Sequence, residues 1–205
     1  MTTRRIRYSV AMSLDGYIAD REGGYAWIID EPGIDFQAYL AKIDTLIMGR
    51  GTYETLRDGP TGVAAFEAFD LYVVSTTLDP EQAEGVTVIG DHVLQRVQRL
   101  KDASPAEGSG AEPTDGASAE SAKDIWLFGG GVLFRSLLEA GLVDRVEVGV
   151  VPVLLGEGIP MLPGLDPTGQ GGSGPDKTGP AVVPLDLHSI ERFDSGITLL
   201  KYDVT

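Results

Sequence analysis

Residues 125–134 read IWLFGGGVLF, and the chain continues RSLLEA to residue 140. Four apolar residues make a short buried strand. VLFRSLLEA (132–140) carries a helical apolar pattern, and Gly141 stands where a helix C′ residue belongs. Between them lie Gly129, Gly130 and Gly131. Each glycine loses extra backbone entropy on folding, so a run of three persists only where something requires it. Either the backbone takes a path that a Cβ forbids, or a ligand touches the main chain. In both cases the local structure is strand, tight turn, helix, the repeating unit of an α/β sheet.

The rest of the chain repeats that alternation. IRYSVAM (6–12) opens as a strand, and 13–27 is loop-like with glycines at 16, 23 and 24. Phe36, Tyr39, Leu40 and Ile43 recur at helical spacing and predict a helix over about 33–43. DTLIMG (44–49) is a short buried strand, and Thr52 to Arg57 forms helical turns. LYVVST (71–76) and VTVIG (86–90) are strands, and Val93, Leu94, Val97 and Leu100 mark another helix. VDRVEVGVVPVLL (143–155) predicts a long strand. PLDLHSIERFD (184–194) and ITLLKYDV (197–204) flank Asp194-Ser195-Gly196, a hairpin signal. The expected architecture is α/β, with helices on a mostly parallel central sheet and an antiparallel C-terminal hairpin. Residues 103–122 and 164–181 are poor in large apolar side chains and cannot offset their ordering entropy, so they read as flexible insertions in a single domain, 1–205.

Composition narrows the function. The formal net charge is −15, which argues against nucleic acid and anionic membranes as partners. There is no cysteine, so disulfides, thiolate nucleophiles and zinc–thiolate sites are excluded, and no metal site is expected. The absence of Asn removes N-glycosylation sequons. MTTRRIRYSVAM has no long apolar core of a signal peptide, and no run approaches the ~20 apolar residues of a membrane span. The expectation is a soluble cytoplasmic protein.

A helix start after a glycine turn offers free N–H groups and a favourable dipole to an anion. The glycines at 129–131 therefore read either as a pyrophosphate cradle or as a packed turn. The Rossmann fingerprint does not fit, because Gly129-x-Gly131-x-x ends on Phe134. P-loop and G-x-S-x-G patterns are missing, and His92 and His188 read as ordinary solvated or packed residues. A second cluster, MGRGTYETL (48–56), follows another buried strand. There Gly49 permits close approach, Arg50 offers a fork of donors to a phosphate, and Thr52 is placed to cap a helix. A third, STT (75–77), ends a strand with three hydroxyls. Ligands of open α/β sheets bind beyond strand carboxyl ends. A dinucleotide with a 2′-phosphate would use all three clusters.

SLDGYIA (13–19), Trp27, MGRGTYE (48–54), STT (75–77), FGGGVLFRSLL (128–138) and VPVLLGEGIPML (151–162) together resemble the dihydrofolate reductase-like superfamily. The branch most similar is that of the pyrimidine reductase domain of riboflavin biosynthesis. The resemblance implies a three-layer dihydrofolate reductase-like fold, NADPH as hydride donor, a small heterocyclic substrate or its ribosylamino sugar, and a homodimer. It implies cofactor contacts at Gly49, Arg50, Thr52, Ser75 and Thr76, and a Gly129–Gly130 pair often joined by a cis peptide. Gly131, Val132 and Leu133 would offer N–H groups to the pyrophosphate, with Ala11 beside the nicotinamide. On the substrate side it implies Asp15, Gly16, Trp27, Leu155, Gly156 and Gly158. Asp15 is the first candidate catalytic residue and Asp35, near the position of the acidic residue of true dihydrofolate reductases, the second. Asp15 also reads as an Asp-Gly turn and Asp35 as a carboxylate favoured by the helix dipole. Strict folate reduction and a non-catalytic NADP(H)-binding role are the alternatives. With no cysteine there is no fused deaminase of the cysteine-ligated kind, so the resemblance extends at most to a reductase half.

Overall fold

The computed structural model describes residues 4–60, 62–103, 123–164 and 182–205. Apart from Ala103 and Gly164, the two expected insertions lie outside the described residues. In chain order the elements are β1 (Ile6–Ser13), β2 (Tyr17–Ala19), α1 (Phe36–Leu40), β3 (Ile43–Gly49), α2 (Arg50–Asp58), β4 (Asp70–Val74) and β5 (Thr87–Ile89). There follow α3 (Val93–Asp102), β6 (Asp124–Gly129), α4 (Gly131–Glu139), β7 (Arg145–Val151), β8 (Ile159–Pro160), β9 (Leu185–Arg192) and β10 (Thr198–Val204).

Eight strands form one sheet in the order β5-β4-β3-β6-β1-β7-β10-β9. β10 runs antiparallel to β7 and β9, and the other pairings are parallel. The central strands explain themselves: Leu46, Ile47 and Met48 are successive and fully buried, as a strand covered on both faces must be. Ile47 faces a core built with Tyr8, Leu127, Phe134 and Leu137, over which α3 and α4 lie. Leu46 and Met48 face the opposite core, with Tyr53, Val73 and Trp126, which α1 and α2 cover. Each such large side chain fully buried contributes about 1.5–3 kcal/mol.

Four expectations are corrected. The first helix is not 33–43 but the single turn and a half of α1, because Asp35 caps its start by accepting from the Ala38 N–H at 2.8 Å and Ile43 joins β3. The strand over 143–155 stops at Val151, because Pro152 has no N–H for the ladder. Thr52 does not cap α2: the N-cap is Gly49, without a side-chain bond, and Thr52 sits inside the first turn. The loop read over 13–27 also contains β2, which pairs with β8. At the end of α4, Gly141 (φ +68°) donates to Leu138 and Leu142 to Leu137, so the glycine closes the helix as its position suggested.

Candidate active site

β3 and β6 are parallel neighbours, with Met48 opposite Gly129, so the starts of α2 and α4 lie side by side. The N-caps of these helices are Gly49 and Gly130, and neither supplies a side-chain hydrogen bond. First-turn N–H groups have no acceptor within their own helix, so two sets of donors remain available. Both helix starts line one cavity of about 1100 Å³. Gly49, Arg50, Gly51 and Thr52 line it from α2, and Gly130 to Leu133 from α4. Val10, Val74, Phe128 and Ile159 supply apolar walls.

The three glycines have separate structural reasons. Gly129 has φ +153°, and a Cβ there would lie 3.1 Å from the Thr52 hydroxyl oxygen. Gly131 is packed harder: its Cβ would stand 2.6 Å from the Pro160 carbonyl and 2.8 Å from that of Met161. Between them the Gly129–Gly130 peptide is cis. Tight packing and an open helix start therefore occur in the same turn.

Arg50 is half exposed at the cavity edge. Its Nε donates to Glu54 at 2.7 Å and a terminal nitrogen donates to the Thr77 hydroxyl at 2.8 Å. Ser75 is buried and its hydroxyl accepts from the N–H groups of Thr77 and Leu78, so it holds its own turn. Thr76 is exposed. Of the three hydroxyls in the STT cluster, Thr77 is the one bonded to Arg50, whereas the resemblance had named Ser75 and Thr76.

The 13–19 segment is knitted to 153–162. Asp15 accepts from the Ser13 hydroxyl at 2.7 Å, from Gly156 N–H at 2.7 Å and from Leu155 N–H at 3.1 Å. Met161 donates to Gly16, whose φ is +93°, and Leu14 donates to Val153. Gly158 lies against Ala19 so closely that a Cβ would collide with its carbonyl. The Ser13 hydroxyl and then the Gly156 and Leu155 N–H groups hold the Asp15 carboxyl below the usual carboxylate range. The folded value thus lies below the unfolded one of about 3.9, so this tie is complete above that pH and is lost as pH falls through the folded value. Asp15→Ala is expected to leave the global unfolding midpoint nearly unchanged while speeding amide exchange at Leu155 and Gly156 by about tenfold or more. Unchanged protection there would contradict the tie.

A second cavity of about 690 Å³ lies between the sheet and the 28–39 segment, and the two cavities share Val10. Ala11 and Asp35 line it, Asp35 with its carboxylate turned to the α1 cap. Trp27 precedes it in the loop, half-buried, with its indole N–H buried and unbonded among the described residues. The sequence reading missed the polar groups on its floor. Glu147 and Arg7 are 2% and 5% exposed and pair at 2.6 Å. Ser9 donates to the other oxygen of Glu147, and the Tyr39 hydroxyl donates to Ser9 at 2.7 Å. Burial pushes the Tyr39 hydroxyl's pKa up, which keeps its proton in place.

Among the described residues there is no cluster of three or more His, Asp or Glu suited to a metal, and no helix is long and apolar enough to cross a membrane.

Against known proteins, residues 4–199 match the model of the RibD C-terminal domain. The uncharacterized protein YyaP of Bacillus subtilis (strain 168) is 31% identical over 170 residues, covering 77% of this chain and 80% of YyaP. Dihydrofolate reductase from Enterococcus faecalis, solved with NADP(H), superposes with a TM-score of 0.60 at 19% identity, over 98% of this chain and 96% of that one. The Thermotoga maritima diaminohydroxyphosphoribosylaminopyrimidine deaminase/5-amino-6-(5-phosphoribosylamino)uracil reductase superposes with a TM-score of 0.60 at 16% identity, over 99% of this chain and 57% of that one. The fold is thus dihydrofolate reductase-like, as the sequence motifs implied.

Proposed function

The chain belongs to the RibD C-terminal domain family, and from that premise we propose that it is an NADPH-dependent reductase of a pyrimidine- or pterin-like heterocycle or its ribosylamino sugar. The observation that carries the reading is the pair of uncapped helix starts, at Gly49 and Gly130, on the wall of one large cavity. A dinucleotide fits them. The α4 start offers N–H groups of Gly131, Val132 and Leu133 to a pyrophosphate. Arg50, with Thr77 beside it, offers a cation and a hydroxyl to a 2′-phosphate. A Cβ at Gly51 would meet nothing within 4 Å, so the floor near α2 is open. Val10 and Ala11 lead from this cavity to the second, where the substrate would lie.

When bound, NADPH would supply a hydride to a C=N or C=O carbon of the substrate. The residues of this chain bind and orient. Asp15, held deprotonated by three donors, fixes the 155–156 segment and is not a proton source. Asp35 is committed to capping α1. The proton is therefore assigned to solvent, and rate enhancement to positioning. A homodimer forms part of this reading; the exposed apolar side chains Leu185, Leu187 and Ile190 on edge strand β9 support it.

Arg50→Ala tests the 2′-phosphate assignment. A charge-assisted hydrogen bond is worth about 1.5–3 kcal/mol, so NADPH affinity is expected to fall roughly 10- to 100-fold, with NADH affinity nearly unchanged. Equal loss for both cofactors, measured by titration calorimetry, would remove Arg50 from that role.

A further inference from the structure

We propose that Ser9, Glu147 and Tyr39 form an acceptor row on the floor of the second cavity that selects a flat heterocycle presenting ring N–H groups. This assignment rests on the reductase reading for the identity of the cavity as the substrate's.

The argument begins with strand register. Ser9 on β1 stands opposite Glu147 on β7, and Glu147 stands opposite Lys201 on β10. Two residues on, Ala11 stands opposite Gly149. All of these residues line the same cavity, as does Tyr39 from α1. The hydrogen-bond chain has one direction. Arg7 is a donor only, so it fixes one Glu147 oxygen as an acceptor. The Ser9 proton goes to the other Glu147 oxygen, and the Tyr39 proton goes to Ser9. Both hydroxyl protons of the chain are spent within it. What remains to face a ligand are lone pairs: on the Tyr39 oxygen, on the Ser9 oxygen and on the Glu147 carboxylate.

Such a row accepts N–H and discourages carbonyl oxygens at the same positions. Lys201 lines the cavity beside it and provides the complementary donor, so an edge with N–H next to C=O matches the pair. Ala11 is two residues along β1 from Ser9, about 6.6 Å at the rise of a strand. That is the width of one ring, so a heterocycle on the row reaches Ala11, where the reading above places the nicotinamide end. The Arg7–Glu147 pair also makes poor sense as a stabiliser alone. A buried ion pair gains little over an apolar pair, and Arg7 Nε is buried with no partner among the described residues.

The test uses 6-aminouracil and 6-amino-1,3-dimethyluracil, which share ring and carbonyls but differ in the two ring N–H groups. Binding to the full chain is titrated with and without NADPH. The wild type is expected to prefer 6-aminouracil by about tenfold, the worth of one to two hydrogen bonds. Ser9→Ala and Tyr39→Phe are expected to erode that preference by weakening 6-aminouracil alone, while NADPH binding, which neither touches, reports an intact fold. Equal binding of the two probes, no binding of either, or a preference undiminished in both variants overturns the proposal. If the preference holds but NADPH does not bind the wild type, the reductase reading falls and the acceptor row stands.

Discussion

Glu147→Ala is expected to lower the unfolding free energy by about 3 kcal/mol, seen as a shifted midpoint in urea at unchanged slope. The loss of Glu147 leaves the Arg7 guanidinium buried without its closest partner; the remaining contact to Asp124, at 3.4 Å, is long. Burial decides the size. The side chains of Arg7 and Glu147 are 7% and 3% exposed, whereas those of Arg50 and Glu54 are 48% and 36% exposed. Breaking the exposed pair with Glu54→Ala should therefore change stability by only about 0.3–0.5 kcal/mol. Arg7→Met combined with Glu147→Leu should recover most of the loss, because an apolar pair avoids the desolvation penalty. Equal effects of Glu147→Ala and Glu54→Ala would show that water reaches the buried pair.

The second large effect is at Gly131. Its Cβ would sit 2.6–2.8 Å from two backbone carbonyls and a proline ring carbon, none of which is a flexible chain end. Gly131→Ala must push the 160–163 segment away from the start of α4. The overpacking penalty is about 1–3 kcal/mol. Because the displaced helix start carries the pyrophosphate donors of the proposed site, NADPH affinity should also fall by about tenfold or more. Gly51→Ala is the contrast in stability: its Cβ meets open space inside a helix, where alanine is favoured over glycine by about 1 kcal/mol. A Gly131→Ala protein as stable as the wild type would contradict the packing described.

Much of this arrangement was legible in the sequence because local chemistry carried it. The strand–glycine–helix units at 125–140 and 44–57 gave the order of elements and the two helix starts. The sequence offered two readings of the glycine run, a packed turn or an anion cradle. In the structure Gly129 and Gly131 are required by packing while the helix start stays open, so the two are compatible. What escaped depended on register between distant segments. Glu147 in VDRVEVGVV drew no notice in the sequence, and only the register of β1 and β7 sets it opposite Ser9. The usable signal was faint: Arg7 and Glu147 are opposite charges inside two apolar strands. The role of Ser75 in holding its own turn, through N–H groups of Thr77 and Leu78, was likewise not legible in the sequence. The first helix was overextended because Ile43 fits a helical stripe and a buried strand equally well, and pairing with β6 decided for the strand.

The measurement that bears most directly on the central claim is titration of the full chain with NADPH, with NADH as control. Saturable binding with NADPH at least about tenfold tighter than NADH is the predicted result, since the extra phosphate adds a charge-assisted contact at Arg50. Binding of neither cofactor would contradict the account and leave the glycine turns as packing alone.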